Sequence, residues 1–258
     1  MSSFPPVQSV SRALQILAEV NRLGVASIGE LHKRTSIPKP SIVRLLQTLI
    51  HEGYIYQDHR MRGYQVTSLA AALSSGFYNM PLIIELARNW AVDLTKRLKW
   101  PVGVCTLDGD AVVVRYSTIP DSPVSPFNST LGIRHTLAKR ALGRAYLAFC
   151  PEDEREMLLR MIANSKDPEN YTCTRDEIME MIATTRARGY AVRDLHAEPR
   201  SSKTVAVPLR REDGRVMATF GVTYFRSAVP ASELEKVVAP VLEAAANIER
   251  DLATHATA

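Results

Sequence analysis

The chain has 258 residues, 46% hydrophobic and 23% charged, with a formal net charge of +5 and a pI near 9.2. That balance fits a globular protein with room for two cores and excludes a low-complexity or fibrous chain. No apolar run approaches the ~20 residues of a membrane span, the N-terminus lacks a signal-peptide apolar segment, and Cys105, Cys150 and Cys173 have no C-x-x-C spacing; neither a disulfide framework nor a zinc site is suggested, and a reducing cytoplasm is the expected home.

Residues 1–8, with Phe4, Pro5 and Pro6, read as a loose lead-in. Ser9 is then expected to cap a helix that carries Val10, Ala13, Leu14 and Leu17 on one face and ends at Gly24. Ser27 and Glu30 have the spacing of a capping box, in which each side chain satisfies a backbone N–H that the other end of the first turn leaves free. This second helix turns Ile28 and Leu31 inward and stops near Ser36. Pro38 and Pro40 suit a turn and a first helical turn, so they mark a restart. From there Ile42, Leu45, Leu46, Leu49 and Ile50 recur at helical spacing and make one buried stripe.

Outside that stripe stand Lys39, Ser41, Val43, Arg44, Gln47 and Thr48. Two cations, an amide and two hydroxyls suit phosphate oxygens and base edges. One such helix alone reads first as a solvated face; paired with a capped helix across a tight turn it reads as a helix-turn-helix. Gly53 suits a left-handed cap, and the β-prone runs 54–56 and 64–66 flank a basic tip, which adds a wing where Arg60 and Arg62 reach phosphates or a minor groove. Residues 1–67 hold Arg12, Arg22, Lys33, Arg34, Lys39, Arg44, Arg60 and Arg62 against Glu19, Glu30, Glu52 and Asp58, so most of the chain's positive surplus sits here.

Residues 68–80 are read as a linker helix, and 81–258 as a second domain. Pro81 opens a long helix that Pro101 breaks. Strands are expected at 102–107 and 111–116 around the turn Asp108-Gly109-Asp110, then a proline-bearing loop or edge strand over 119–129. Helices follow at 138–149 and 152–163, a loop at 166–170, and a helix opened by the Thr174–Glu177 capping box and closed by Gly189. Strands at 190–193, 204–209 and 216–224 precede a last helix that Ser232 and Glu235 cap and that runs to about 252. Mixed strands with helices on one side give an α+β fold class.

An enzyme needs a nucleophile–base set or a metal cluster. No G-x-S-x-G elbow, phosphate-binding loop, Rossmann glycine run or H-E-x-x-H pattern is present, so no catalytic residue, metal or cofactor is expected. Trp100, Tyr224 and Cys105 read as core residues, and His135 as a hydrogen-bonded structural residue. The competing reading is an interaction module without DNA, whose helical pair only mediates dimers; the basic N-terminal excess speaks against it.

The blocks VQSVSRALQILAEV, SIGELHKRTSIPKPSIVRLLQTLIHEGYI, GYQVT, LGIRHTLAKRALGRAYLAF, RARGYAVRD and TVAVPLRREDGRVMATFGVTY occur in an order and spacing that resembles the IclR family of bacterial transcriptional regulators over nearly the whole chain. WPVGVCTLDGDAVVVR and YLAFCPEDER are similar to the MhpR-type activators of phenylpropionate catabolism. The resemblance implies a winged helix-turn-helix DNA reader (1–67), a linker helix (68–80) and a GAF-like α/β effector-binding and oligomerisation domain (81–258). It implies homodimers or homotetramers on a palindromic operator in double-stranded DNA, with RNA polymerase as a partner of an activator, and residues 39–51 as the recognition helix. It also implies effector contacts from Arg134, His135, Thr136, Ala141, Arg193, Asp194, Thr204, Gly221 and Thr223. Arg140 stands where the family commonly has a small hydroxyl residue, Arg144 where it has lysine, and Arg193 where it has an acid. The added cations favour an anionic effector, an aromatic carboxylate for an activator; the alternative is a repressor answering a small aliphatic acid.

Overall fold

The computed structural model describes residues 5–58, 60–73, 81–125 and 129–256, and the chain divides into two compact units, Met1–Asn79 and Met80–Ala258.

The first unit holds helices α1 (Gln8–Leu23), α2 (Ile28–Thr35) and α3 (Lys39–His51), strands β1 (Ile55–Asp58) and β2 (Gly63–Val66), and the short helix α4 (Ser68–Ala72). Helix α1 starts one residue before Ser9, with Val7 at the cap and no side-chain cap bond. Its buried residues are Ile16 and Val20, while Val10 and Leu14 are exposed, so the expected inward face is rotated. The reason is the partner surface: Ile16 and Val20 meet Leu31, Ile42, Leu46 and Ile55 in one core. The Ser27–Glu30 capping box forms, and Ser36 closes α2 in the left-handed region. On α3, Ile42, Leu46 and Leu49 are buried, Leu45 is half-buried and Ile50 is exposed. Truncating Ile42 or Leu46 to alanine would cost about 2–5 kcal/mol by the cavity it leaves.

Strands β1 and β2 pair antiparallel from Ile55–Val66 to Asp58–Gly63. Tyr64 also exchanges both backbone hydrogen bonds with Ala26, at 2.9 and 3.0 Å, which anchors the hairpin to the connection between α1 and α2. Gly63 permits this approach: a Cβ there would lie 2.5 Å from Val25 Cγ1. Of the linker helix expected over 68–80, α4 covers 68–72, and residues 74–80 lie outside the described residues, as do 126–128 of the expected loop.

The second unit is built on a six-stranded sheet of order β5-β4-β3-β8-β7-β6, with β3 (Val102–Asp108), β4 (Ala111–Ser117), β5 (Arg134–Thr136), β6 (Ala191–Val192), β7 (Ser202–Arg210) and β8 (Val216–Phe225). Every pairing is antiparallel, where mixed strands were expected. Helices cover both faces rather than one. Helices α5 (Leu82–Leu98) and α10 (Glu235–Ala256) share a core with Val205, Val207, Ala218, Phe220, Val222 and Tyr224. Helices α6 (Ala141–Phe149), α7 (Glu152–Ala163) and α9 (Arg175–Arg188) share the opposite core with Cys105, Val112, Val114 and Ala206. The alternation of β7 and β8 dictates this: both sets of side chains are buried, so each face needs a cover.

Strand β5 is too short to show a strand period in the sequence, and the segment expected as a loop at 166–170 contains the one-turn helix α8 (Pro168–Tyr171). Helix α6 begins at Ala141, three residues later than expected, because Arg140 takes an extended cap conformation. Trp100 meets Phe225 edge-to-face at 5.8 Å against the α5–α10 core. The three cysteines are free thiols, and burial pushes the Cys105 thiol well above its ordinary range. Among the described residues no helix is long and apolar enough to cross a membrane.

Candidate DNA-reading face and effector site

In the first unit the stripe of α3 that faces Leu31 and Ile16 leaves its other side outward. Lys39, Arg44, Gln47 and Thr48 are exposed, and Ser41 and Val43 are half-buried beside them. Among the described residues the side chains of Lys39, Arg44, Arg60 and Arg62 make no hydrogen bond or ion pair, so their donors are available. Thr48 Oγ1 donates to the Arg44 carbonyl at 3.1 Å and keeps its lone pairs free. By contrast Arg22 and Arg34 are drawn to Glu19, at 2.5 and 3.9 Å. The wing is shaped by Asp58, whose Oδ1 accepts from the amides of Arg60 and Met61 at 2.8 and 3.0 Å while Oδ2 accepts from Gln65 Nε2 at 3.0 Å. Arg62 takes a positive φ of 52° and is exposed with Arg60. Two faces with free donors, one helical and one on a hairpin tip, suit a groove and its flanking phosphates.

In the second unit the α6 face of the sheet carries a polar cluster. Arg140, at the cap of α6, grips the Glu169 carboxylate of α8 with Nε at 2.7 Å and with Nη2, and Nη1 donates to the Glu198 carbonyl. Thr136 Oγ1 donates to the same carboxylate at 3.0 Å. Arg193 Nη2 is held by the carbonyls of Pro199 and Ser202 and by Ser202 Oγ at 3.2 Å. Burial lowers the Arg193 pKa, and repulsion from Arg140 adds to that. His135 lies among Arg140, Glu169 and Arg193; burial first, then the two guanidiniums, press its pKa down to about 4 in spite of Glu169, so the ring is neutral. Thr204 and Thr223 meet at 3.0 Å on neighbouring strands.

The expected effector contacts therefore fall into groups. His135, Thr136 and Arg193 gather around Arg140 and Glu169. Asp194 is paired with Arg144 at 2.6 Å. Ala141 is buried in the core, and Gly221 lies so close to β7 that a Cβ would sit 2.7 Å from the Val205 carbonyl oxygen. Arg134 stands apart from the cluster and braces the β3–β4 turn, 3.3 Å from Asp108, 3.1 Å from Asp110 and 2.7 Å from the Asp108 carbonyl. Two carboxylates in one turn hold it there. The structure adds Glu169, Glu198 and Ser202 to the cluster through their bonds to Arg140 and Arg193. The Asp167-Pro168-Glu169 triplet carried a signal for α8, a side-chain cap followed by proline in the first turn.

A cavity of about 390 Å³ opens at the β6 edge beside this cluster. Arg193, Asp194 and Thr204 line it together with Tyr190, Tyr224 and Lys203. It joins aromatic and aliphatic walls to cationic groups, which suits a small organic anion.

Residues 9–59 match the IclR helix-turn-helix domain, and residues 78–250 match the family described as the bacterial transcriptional regulator IclR C-terminal domain. The chain belongs to the IclR family. It is similar to the regulator XynR of Escherichia coli K12, 27% identical over 90% of this chain and 91% of that protein. It is also similar to the Pca regulon regulatory protein of Pseudomonas putida, at 26% over 95% and 82% respectively. The fold matches the Thermotoga maritima IclR crystal structure with a TM-score of 0.66 at 22% identity, covering 95% of this chain and 98% of that one. As an IclR-family protein the chain is a DNA-binding transcriptional regulator, not an enzyme.

Proposed function

We propose that this IclR-family regulator is an activator of an aromatic-acid catabolic operon, binding a palindromic operator as a homodimer or homotetramer and answering to a small aromatic carboxylate. Support for an acidic effector comes from one observation above the others: two arginines, Arg140 and Arg193, converge on the neighbouring carbonyls of Glu198 and Pro199, and both act on the titration of His135. A fixed guanidinium pair in a partly buried setting selects carboxylates by charge and by fork geometry. Tyr190, which lines the neighbouring cavity together with Arg193, favours an aromatic body on that acid. Activation, with RNA polymerase as partner, rests on the resemblance of residues 100–115 and 146–155 to MhpR-type activators. Relatives named for the Pca regulon and for a glycerol operon differ in what their names record, so the effector follows from this chain's own residues.

In mechanism, the effector shifts the population between two arrangements of the assembly that differ in how the two α3 helices are spaced, and operator affinity or polymerase recruitment follows. The test is anisotropy of labelled DNA from upstream of the chain's own gene and its neighbours, with benzoate, 3-phenylpropionate or pyruvate added, alongside a transcriptional reporter. Aromatic acids are expected to change binding or output and to raise the reporter signal. A response to pyruvate alone, with the reporter falling, would support the repressor reading instead. Loss of all sequence-specific DNA binding would leave the interaction module.

A further inference from the structure

The Glu169 carboxylate is bound as a ligand would be. Arg140 forks onto both of its oxygens through Nε, at 2.7 Å, and Nη2, and the Thr136 hydroxyl adds a third donor at 3.0 Å. The cradle does not depend on its occupant. Arg140 Nη1 is anchored separately on the Glu198 carbonyl, and the Arg140 backbone caps α6 and takes a hydrogen bond from the Arg144 amide at 2.8 Å. Removing Glu169 therefore leaves the guanidinium aimed at the same place. The carboxylate, by contrast, is replaceable: it sits on a four-residue helix whose hold on the domain comes from Asn170, fully buried, which donates to the Asp110 carbonyl at 3.0 Å and accepts from the Ala138 amide at 3.4 Å. The ion pair itself is about a quarter exposed on each side, 23% for Arg140 and 27% for Glu169, so solvent and solutes reach it.

We infer that Arg140 and Thr136 form a carboxylate-binding subsite which Glu169 fills in the absence of effector, and that the effector's carboxylate binds there by displacing it. The inference rests on the organic-acid reading above and adds the residues that grip the acid and the internal group that competes with it. An internal competitor lowers apparent affinity by the fraction of time the cradle is vacant, so wild-type protein responds only to concentrations that outcompete a tethered carboxylate. Displacement also breaks the Glu169 link from α8 to Thr136 of β5 and to Arg140 at the cap of α6 while Asn170 keeps α8 in place, and that local change supplies the difference between liganded and unliganded states that a switch requires.

The experiment uses the full chain as wild type, Glu169→Ala and the double variant Arg140→Gln/Glu169→Ala. Acetate is the first probe, compared with chloride at equal ionic strength in thermal unfolding; benzoate is the second, by calorimetry. Vacating the cradle is expected to give a saturable stabilisation of Glu169→Ala by acetate that wild type lacks, since a ligand that binds only the folded state raises Tm. Benzoate is expected to bind Glu169→Ala at least tenfold more tightly than wild type, and loss of Arg140 to abolish both effects. Should Glu169→Ala fail to fold, Glu169→Gln keeps the shape and is expected to show the same gain for benzoate. Benzoate binding that is indifferent to both substitutions would overturn the displacement and leave the organic-acid reading standing. Absence of any acetate or benzoate response in the Glu169 variants would overturn the subsite, and failure of every organic acid to alter operator binding would separately overturn the reading it rests on.

Discussion

The Arg144 guanidinium lies 2.6 Å from the Asp194 carboxylate, while its Nε donates to the Ala138 carbonyl at 2.7 Å and Nη1 to the Val192 carbonyl at 3.2 Å. One side chain thus ties the start of α6 to strand β6 and the turn after it. Burial alone would raise the Asp194 pKa, but the His196 amide and Arg144 outweigh it and hold the carboxyl below its usual range. Replacing Arg144 by methionine would strand a carboxylate and two carbonyls in a partly buried place, at a cost of about 2–4 kcal/mol. Arg144→Lys keeps the charge but cannot fork to three acceptors, and about 1 kcal/mol is expected. Urea unfolding of both variants checks this; equal stability of Arg144→Met and wild type would show the tie contributes nothing.

Helix α6 rests directly on the backbone of residues 136 and 137. A Cβ added at Gly143 would lie 2.1 Å from the Thr136 carbonyl oxygen and 2.8 Å from Leu137 Cα. Alanine gains about 1 kcal/mol of helix propensity over glycine, yet the clash is with backbone that a rotamer change cannot relieve. Gly143→Ala is expected to be net destabilising, by about 2 kcal/mol or more, and to lower Tm in a calorimetric scan. A rise in Tm would contradict the close approach.

Much of this organisation was legible before the structure. Capping boxes at Ser27 and Thr174, the glycines at 24 and 189, and the restart at Pro38 are local signals, and local signals mark element ends well. What α1 buries was not legible, because Val10 and Ile16 are equally apolar and only the position of α3 and β1 decides between them. Strand β5 spans three residues and α8 four, too short for any periodicity to appear. The cluster proposed to meet the effector was half legible for the same reason. Arg193 and Thr136 could be placed through family blocks, but Glu169 is brought to them only by tertiary packing, and Arg134 is drawn off by two aspartates that the hairpin delivers.

On the candidate DNA-reading face, Arg44 and Gln47 sit mid-helix and exposed, whereas Arg60 and Arg62 belong to the wing. Arg44→Ala is expected to cost about 1–3 kcal/mol of operator affinity and to relax preference at one base position. Arg60→Ala and Arg62→Ala are expected to weaken binding to all sequences alike and each to reduce the slope of log affinity against log salt by about one. Anisotropy titrations at several salt concentrations, with operator and scrambled DNA, separate the two classes. Unchanged discrimination in Arg44→Ala would remove α3 as the reading element.

His135 sets a pH dependence whose sign follows from its environment. Its pKa is about 4 in the folded protein, lowered first by burial and then by Arg140 and Arg193, against 6.5 for the ordinary side chain. Between those values the unfolded chain takes up a proton that the folded one refuses, so acid favours unfolding. The contribution is complete above about pH 6.5 and is lost progressively as the pH falls toward 4, with a total on the order of 3 kcal/mol. Below pH 4 the depressed carboxyls of Asp110 and Asp194 add their own loss. His135→Gln cannot titrate and is expected to flatten the stability profile between pH 6.5 and 4 while leaving the fall below 4 in place. Urea midpoints at half-unit pH steps measure this, and an unaltered slope in His135→Gln would mean that His135 is protonated as readily in the folded protein as in the unfolded chain.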